Sequence, residues 1–189
     1  SPESISSVER KAINKDFPTS AITKTIHNII LEEGRVEVFF MQGLPYQTRE
    51  SVKATLNYCN DIYKKHKHLL GKSMKEGHLL FNISPMILLD VGSLGFDYPQ
   101  RYGYIRLCKT LLDHISTLKI PHWGLNYNYE TMWLDRDDLF DIAFMVDMWE
   151  LTVAKEYGLM EEREIEREKA GNEVSRDILV KLQQTLKQN

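Results

Sequence analysis

Six histidines and 27 acidic residues give this 189-residue chain material for metal or acid–base chemistry, but spacing decides whether they can act together. His66 and His68 flank Lys67, and His78 lies ten residues beyond His68. Metal ligands on a helix recur every three or four residues so that they share a face, and no cysteine or carboxylate completes a set here. The pattern reads as solvated histidines at a helix end, and no cofactor is expected. Asp135, Asp137 and Asp138 resemble part of a calcium loop, yet the glycine and closing glutamate are missing at loop spacing, which leaves an ordinary turn. Asp113 and His114 are neighbours without a nucleophile at an identifiable position. No G-x-S-x-G, phosphate-binding loop or dinucleotide glycine pattern occurs, so no catalytic residue is assigned and the chain is expected not to be an enzyme.

Lysine is the residue type whose clustering stands out. Lys64, Lys65, Lys67, Lys72 and Lys75, with His66 and His68, form a local basic patch. Such a patch either solvates a helix end or docks phosphate, from lipid headgroups or from an RNA backbone. Val36 to Tyr46 followed by a helix looks like the opening of an RNA-recognition motif, but that domain also needs aromatic residues on a later strand, and His78–Ile83 supplies only Phe81. A generic strand–helix unit is the simpler reading.

The bulk numbers set the frame for these residues. Hydrophobic content of 42% and charged content of 27% describe a soluble globular protein, and the length suits one well-buried domain. A net charge of −3 creates no global field towards nucleic acid or anionic lipid. Cys59 and Cys108 sit in apolar contexts without metal-ligand spacing, which predicts reduced thiols in an intracellular, reducing compartment. No apolar run is long enough to cross a bilayer. The chain opens on Ser1-Pro2 rather than Met, so missing N-terminal signals carry little weight.

The elements that must position these residues follow from periodicity. Residues 1–20 are polar and read as a flexible arm, residues 21–154 as an α+β core, and residues 155–189 as a charged, amphipathic helical extension. Between 25 and 40 the pattern predicts a hairpin turning at Gly34, with a helix over Ile22–Leu31 as its competitor. Thr48 is a plausible N-cap for a helix to about Leu70, ended by Gly71, with Val52, Leu56, Cys59 and Ile62 or Tyr63 on one stripe. His78–Ile83 reads as a strand. The 84–100 loop is unusually apolar, holding Pro85, Met86, Ile87, Leu88 and Leu89. Ile105–Leu118 has helical spacing, with a start that could be strand, and Pro121 stops it. Leu125 to Trp149 reads as two strands joined by an acidic turn. In the C-terminal segment Val174, Ile178, Leu182 and Leu186 form a ladder on one helical face, suited to a helical partner. The expected fold is α+β, an antiparallel sheet packed with two or more helices.

Two stretches together resemble the matrix proteins of rhabdoviruses, particularly the lyssavirus branch. The first is Gly34, Val36 and Val38, then Gly43, then the helix ending Asp61-Ile62-Tyr63 and Gly71. The second is Leu125-x-Tyr127-x-x-Glu130-x-x-Trp133-x-Asp135-x-Asp137. The resemblance covers roughly residues 25–150, in the family's order and at comparable separation. It implies an antiparallel sheet backed by helices and a part in viral assembly: self-association as a homo-oligomer, contact with an anionic membrane and with the nucleocapsid, and budding. An apolar loop takes part in self-association in that family, and Pro85, Met86, Ile87, Leu88 and Leu89 are the position-compatible candidates. The chain lacks a Pro-Pro-x-Tyr motif and a strongly basic N-terminal arm, and its charged helix after Lys155 has no clear counterpart. An intracellular RNA- or nucleic-acid-binding module, using the lysine patch, is the alternative, and an uncharacterised enzyme a third reading.

Overall fold

Polar sequence alone does not free the first twenty residues, because their charges find partners inside the molecule. A computed structural model describes residues 1–75, 79–86 and 88–188, with backbone alone at 68–75 and 186–188. Instead of a loose arm, residues 1–20 contain helix α1 (Ser7–Ala12), capped by the Ser6 hydroxyl. Arg10 is fully buried: Nη1 donates to the Ser4 carbonyl at 2.8 Å, and Nε and Nη2 donate to the Phe17 carbonyl at 3.1 and 2.9 Å. The Glu3 backbone pairs with the strand that follows, through Phe39 and Met41.

Helix α2 (Thr19–Leu31) stands where the hairpin was expected. Ile22, Ile26 and Ile30 recur every four residues and are all buried, so the helical face outweighs the turn signal of Gly34. Strand β1 (Val36–Gln42) then buries Val38, Phe40 and Gln42 and turns Glu37 and Phe39 outward. Helix α3 (Arg49–Lys75) is capped by Thr48, whose hydroxyl accepts from the Ser51 N–H at 3.2 Å. Its stripe Val52, Leu56, Cys59, Ile62 and Tyr63 is buried as the spacing predicts. Gly71 does not end it; one interior glycine costs only about 1 kcal/mol relative to alanine.

Strand β2 (Leu79–Pro85) pairs with β1 in parallel, from Val36↔Leu79 to Gln42↔Pro85. This corrects the antiparallel expectation. The connection is a long helix, which carries the chain back to the starting end, whereas antiparallel neighbours need only a tight turn. Short helices α4 (Leu94–Asp97) and α5 (Pro99–Tyr102) occupy the apolar loop. Strand β3 (Tyr104–Arg106) and helix α6 (Leu111–Leu118) resolve the mixed reading of 105–118 into both. Strand β4 (Tyr129–Thr131) pairs antiparallel with β3.

The second strand expected after the acidic turn is helix α7 (Arg136–Tyr157), with Asp135 as its N-cap. The Asp135 carboxylate accepts from the Asp138 N–H at 2.8 Å, and Asp137 and Asp138 sit in the first turn, where negative charge is favoured. Helix α7 packs on both strands of the parallel pair, on α3 and on the final helix. Being covered on several sides, it buries residues on more than one face and loses the helical period. Helix α8 (Glu162–Gln188) folds back along α7. Ile165 packs with Leu151 and Ala154, and Leu179 with Leu125 and Phe140. Of the expected ladder, Val174 and Ile178 face outward, Leu182 is half-buried, and the Leu186 side chain lies outside the described residues. The fold is α+β with two small two-stranded sheets and a C-terminal helix.

Candidate functional site

Helix α6 is built with its faces reversed. Thr110 and Asp113 close a capping box at its start, so the helix has its own N-terminal stop. Its inward positions are His114, whose ring lies 5.8 Å from that of Phe96, and Thr117, whose hydroxyl lies 3.2 Å from the Cys108 thiol. Its outward positions are apolar: Leu111 and Leu112 are 73% exposed, Ile115 42% and Leu118 57%. No residue of α6 is buried. The helical spacing is real, and the apolar face it draws points at solvent. Exposed apolar side chains are ordinary when scattered and informative when contiguous on one face.

The five residues expected to form a self-association loop do not share one fate. Pro85 ends β2, Met86 packs against the core, Leu88 is exposed, and Leu89 is buried. Ile87 lies outside the described residues. Two side chains from the β4 region hold this stretch down. The Asn128 carboxamide accepts from the Leu89 N–H at 2.7 Å and donates to the Leu89 carbonyl at 2.9 Å. The Tyr129 hydroxyl donates to the Met86 carbonyl at 2.6 Å.

The lysine patch is partly on view. Lys64, Lys65 and Lys67 are exposed on α3, and Lys67 Nζ lies 5.5 Å above the Tyr157 ring. The backbone of α3 runs through Lys72 and Lys75, whose side chains lie outside the described residues, as do those of His68 and His78. His66 is not solvated as expected. It is fully buried, its ring 5.2 Å from that of His27. Phe81, the aromatic residue weighed as an RNA-stacking platform, is buried against Phe40 and Tyr63.

A cleft of about 600 Å³ opens between β2, the second half of α7 and the first half of α8. Phe81, Leu151, Val153, Ala154 and Leu159 supply apolar wall. Asp147 and Glu150 stand one helical turn apart within it. Burial, reinforced by the Asp147 charge, pushes the Glu150 carboxyl up to about 7, although the Ile83 N–H donating to it pulls the other way. Burial also raises Asp147. The Trp149 indole donates to Asn60 at 3.1 Å, and the Tyr63 hydroxyl accepts from the Phe81 N–H at 3.3 Å. Burial pushes the Tyr63 hydroxyl up to about 12. Sequence reasoning missed this cleft; the available signal was a pair of carboxylates interrupting an apolar helix at a spacing of three.

Cys59 and Cys108 are free and buried. Among the described residues no helix is long and apolar enough to cross a membrane, and no group of three or more histidine, cysteine or acidic side chains could hold a metal ion. A scan against protein-family models and searches of curated proteins and of solved structures found no match.

Proposed function

We propose that this chain is a non-enzymatic assembly protein of the viral matrix kind, self-associating in the host cytoplasm and linking nucleocapsid to an anionic membrane. The observation that carries the reading is the outward apolar row of α6. Leu111, Ile115 and Leu118 follow the spacing by which one helix packs on another. A second copy of α6 in antiparallel orientation would cover this row with the same row, as a two-fold contact requires. Antiparallel pairing also sets each helix N-terminus beside its partner's C-terminus, the favourable arrangement of their dipoles. The contact therefore moves from the Pro85–Leu89 stretch to α6, since Met86 and Leu89 face inward. The exposed Lys64, Lys65 and Lys67 provide a separate surface for the phosphates of the assembly's other partners.

The test is the paired substitution Leu111→Ser and Ile115→Ser, followed by light scattering and circular dichroism on the same sample. The helix signal and melting temperature stay near wild type, because neither side chain is in the core, while self-association falls. A wild-type protein that remains monomeric at high concentration defeats the reading. So does a folded double variant that associates as well as wild type. Liposome capture through α6 without self-association would reassign this face to lipid.

A further inference from the structure

The cleft between β2, α7 and α8 has a chemistry that matrix-type assembly leaves unused. We propose that it is a binding site for an organic cation, a primary ammonium carried on a short apolar stem. Its volume of about 600 Å³ lies within the range of small-molecule pockets. Its wall divides by chemistry. Leu80, Leu159 and Met160 offer an apolar surface to a hydrocarbon stem. Asp147 and Glu150 lie on α7, and Glu164 and Glu168 on α8. Against these four carboxylates the described lining has one cation, Arg167, which pairs with Glu168 at 3.0 Å. Charge complementarity thus selects a cation, and the apolar wall selects one with a stem.

Protonation makes the proposal distinctive. The groups around Glu150 are Asp147 on its own helix, Cys59 and Tyr63 on α3, and Glu164, Arg167 and Glu168 on α8. The parts of β2 that line the cleft, Leu80, Phe81 and Asn82, bring no titratable side chain. Burial beside Asp147 holds the Glu150 carboxyl near 7, so part of the population is neutral at physiological pH. An ammonium favours the ionised form, and binding therefore expels a proton from Glu150. The amine stays protonated throughout, because its own titration lies near 10.

The experiment titrates the full chain with n-hexylammonium chloride and follows the Trp149 indole N–H by NMR. Sodium hexanoate and n-hexanol serve as charge-reversed and neutral controls. Hexylammonium moves the Trp149 signal while neither control does so at the same concentration. Its affinity rises about tenfold between pH 6 and pH 8, as Glu150 goes from mostly neutral to mostly ionised. Glu150→Gln preserves the size of the side chain, weakens binding and removes that pH dependence. Glu164→Gln, at an exposed rim position outside the core, weakens binding while keeping the pH dependence. An unmoved Trp149 signal overturns the proposal, as do equal shifts with hexanol or hexanoate. A pH dependence that survives in Glu150→Gln also overturns it.

Discussion

The Asn128 side chain acts towards Leu89 as a neighbouring strand would: its Oδ1 accepts from the Leu89 N–H at 2.7 Å and its Nδ2 donates to the Leu89 carbonyl at 2.9 Å. Both residues are buried. The Asn128 backbone carbonyl meanwhile accepts from Leu107 and Cys108, just beyond β3. One residue therefore ties the apolar loop, the short antiparallel pair and the core together. Asn128→Ala leaves two buried backbone groups without partners and should cost about 2–4 kcal/mol. Urea denaturation measures this directly. A loss below about 0.5 kcal/mol, the usual range of surface changes, would mean that the clamp does not hold the loop.

Gly43 and Tyr129 form a second tie of this kind. Gly43 takes φ +87, and a Cβ added there would fall on the Tyr129 hydroxyl. That hydroxyl is committed to the Met86 carbonyl, so it has no free direction in which to move. Gly43→Ala adds backbone strain to a steric clash and should cost about 2–4 kcal/mol. Tyr129→Phe removes the obstructing oxygen. The double variant should therefore lose less stability than the sum of the single ones, and a double-mutant cycle reads the coupling. Strict additivity would show that Gly43 is held by backbone conformation alone.

What was legible in the sequence follows from how many sides of an element are covered. Helix α3 is buried along one stripe, so Val52, Leu56, Cys59 and Ile62 announced it and its facing. Helix α7 is covered by the strands, α3 and α8, so its apolar residues lost their helical period and resembled a strand. The parallel pairing of β1 and β2 was hidden because alternation marks a strand but not its direction. The sites were obscured differently. Periodicity located the apolar face of α6 without revealing that it turns outward, which depends on the inward contacts of His114 with Phe96 and of Thr117 with Cys108. The cleft joins residues from β2, α7 and α8, and no local spacing brings those together.

Glu150 gives the fold a pH dependence of definite sign. Burial raises its folded-state titration to about 7, against an ordinary value of 4.5. The folded state thus holds the proton more tightly than the unfolded chain. Stability is highest below about 4.5, falls as pH rises towards 7, and levels off above, by at most about 3 kcal/mol in all. Asp147, raised by burial, acts in the same direction. Asp113 is held below its ordinary 3.8 by the N–H groups of Lys109 and Thr110, so it acts only at more acid pH. Unfolding free energies at intervals between pH 4.5 and 8 should show the decline in wild type and a much flatter curve in Glu150→Gln. Equal slopes in the two proteins would place the effect elsewhere.

Lys64, Lys65 and Lys67 should carry whatever binding this protein has to phosphate. All three are exposed, and Lys67 has an aromatic neighbour in Tyr157. Replacing all three with glutamate reverses the local charge, with a stability cost of about 0.5–1 kcal/mol from the lost Lys67–Tyr157 contact. Co-sedimentation with anionic liposomes and with single-stranded RNA separates the two sources of phosphate. If RNA is the partner, the slope of log affinity against log salt should fall by roughly two, since each phosphate contact to a single strand contributes about 0.7. If lipid is the partner, the loss should track the fraction of anionic headgroups, because each lysine near such a surface is worth about 1 kcal/mol. Wild-type protein that binds neither at low salt would reduce the patch to a solvated face of α3. The α6 contact would then be the remaining support for an assembly role.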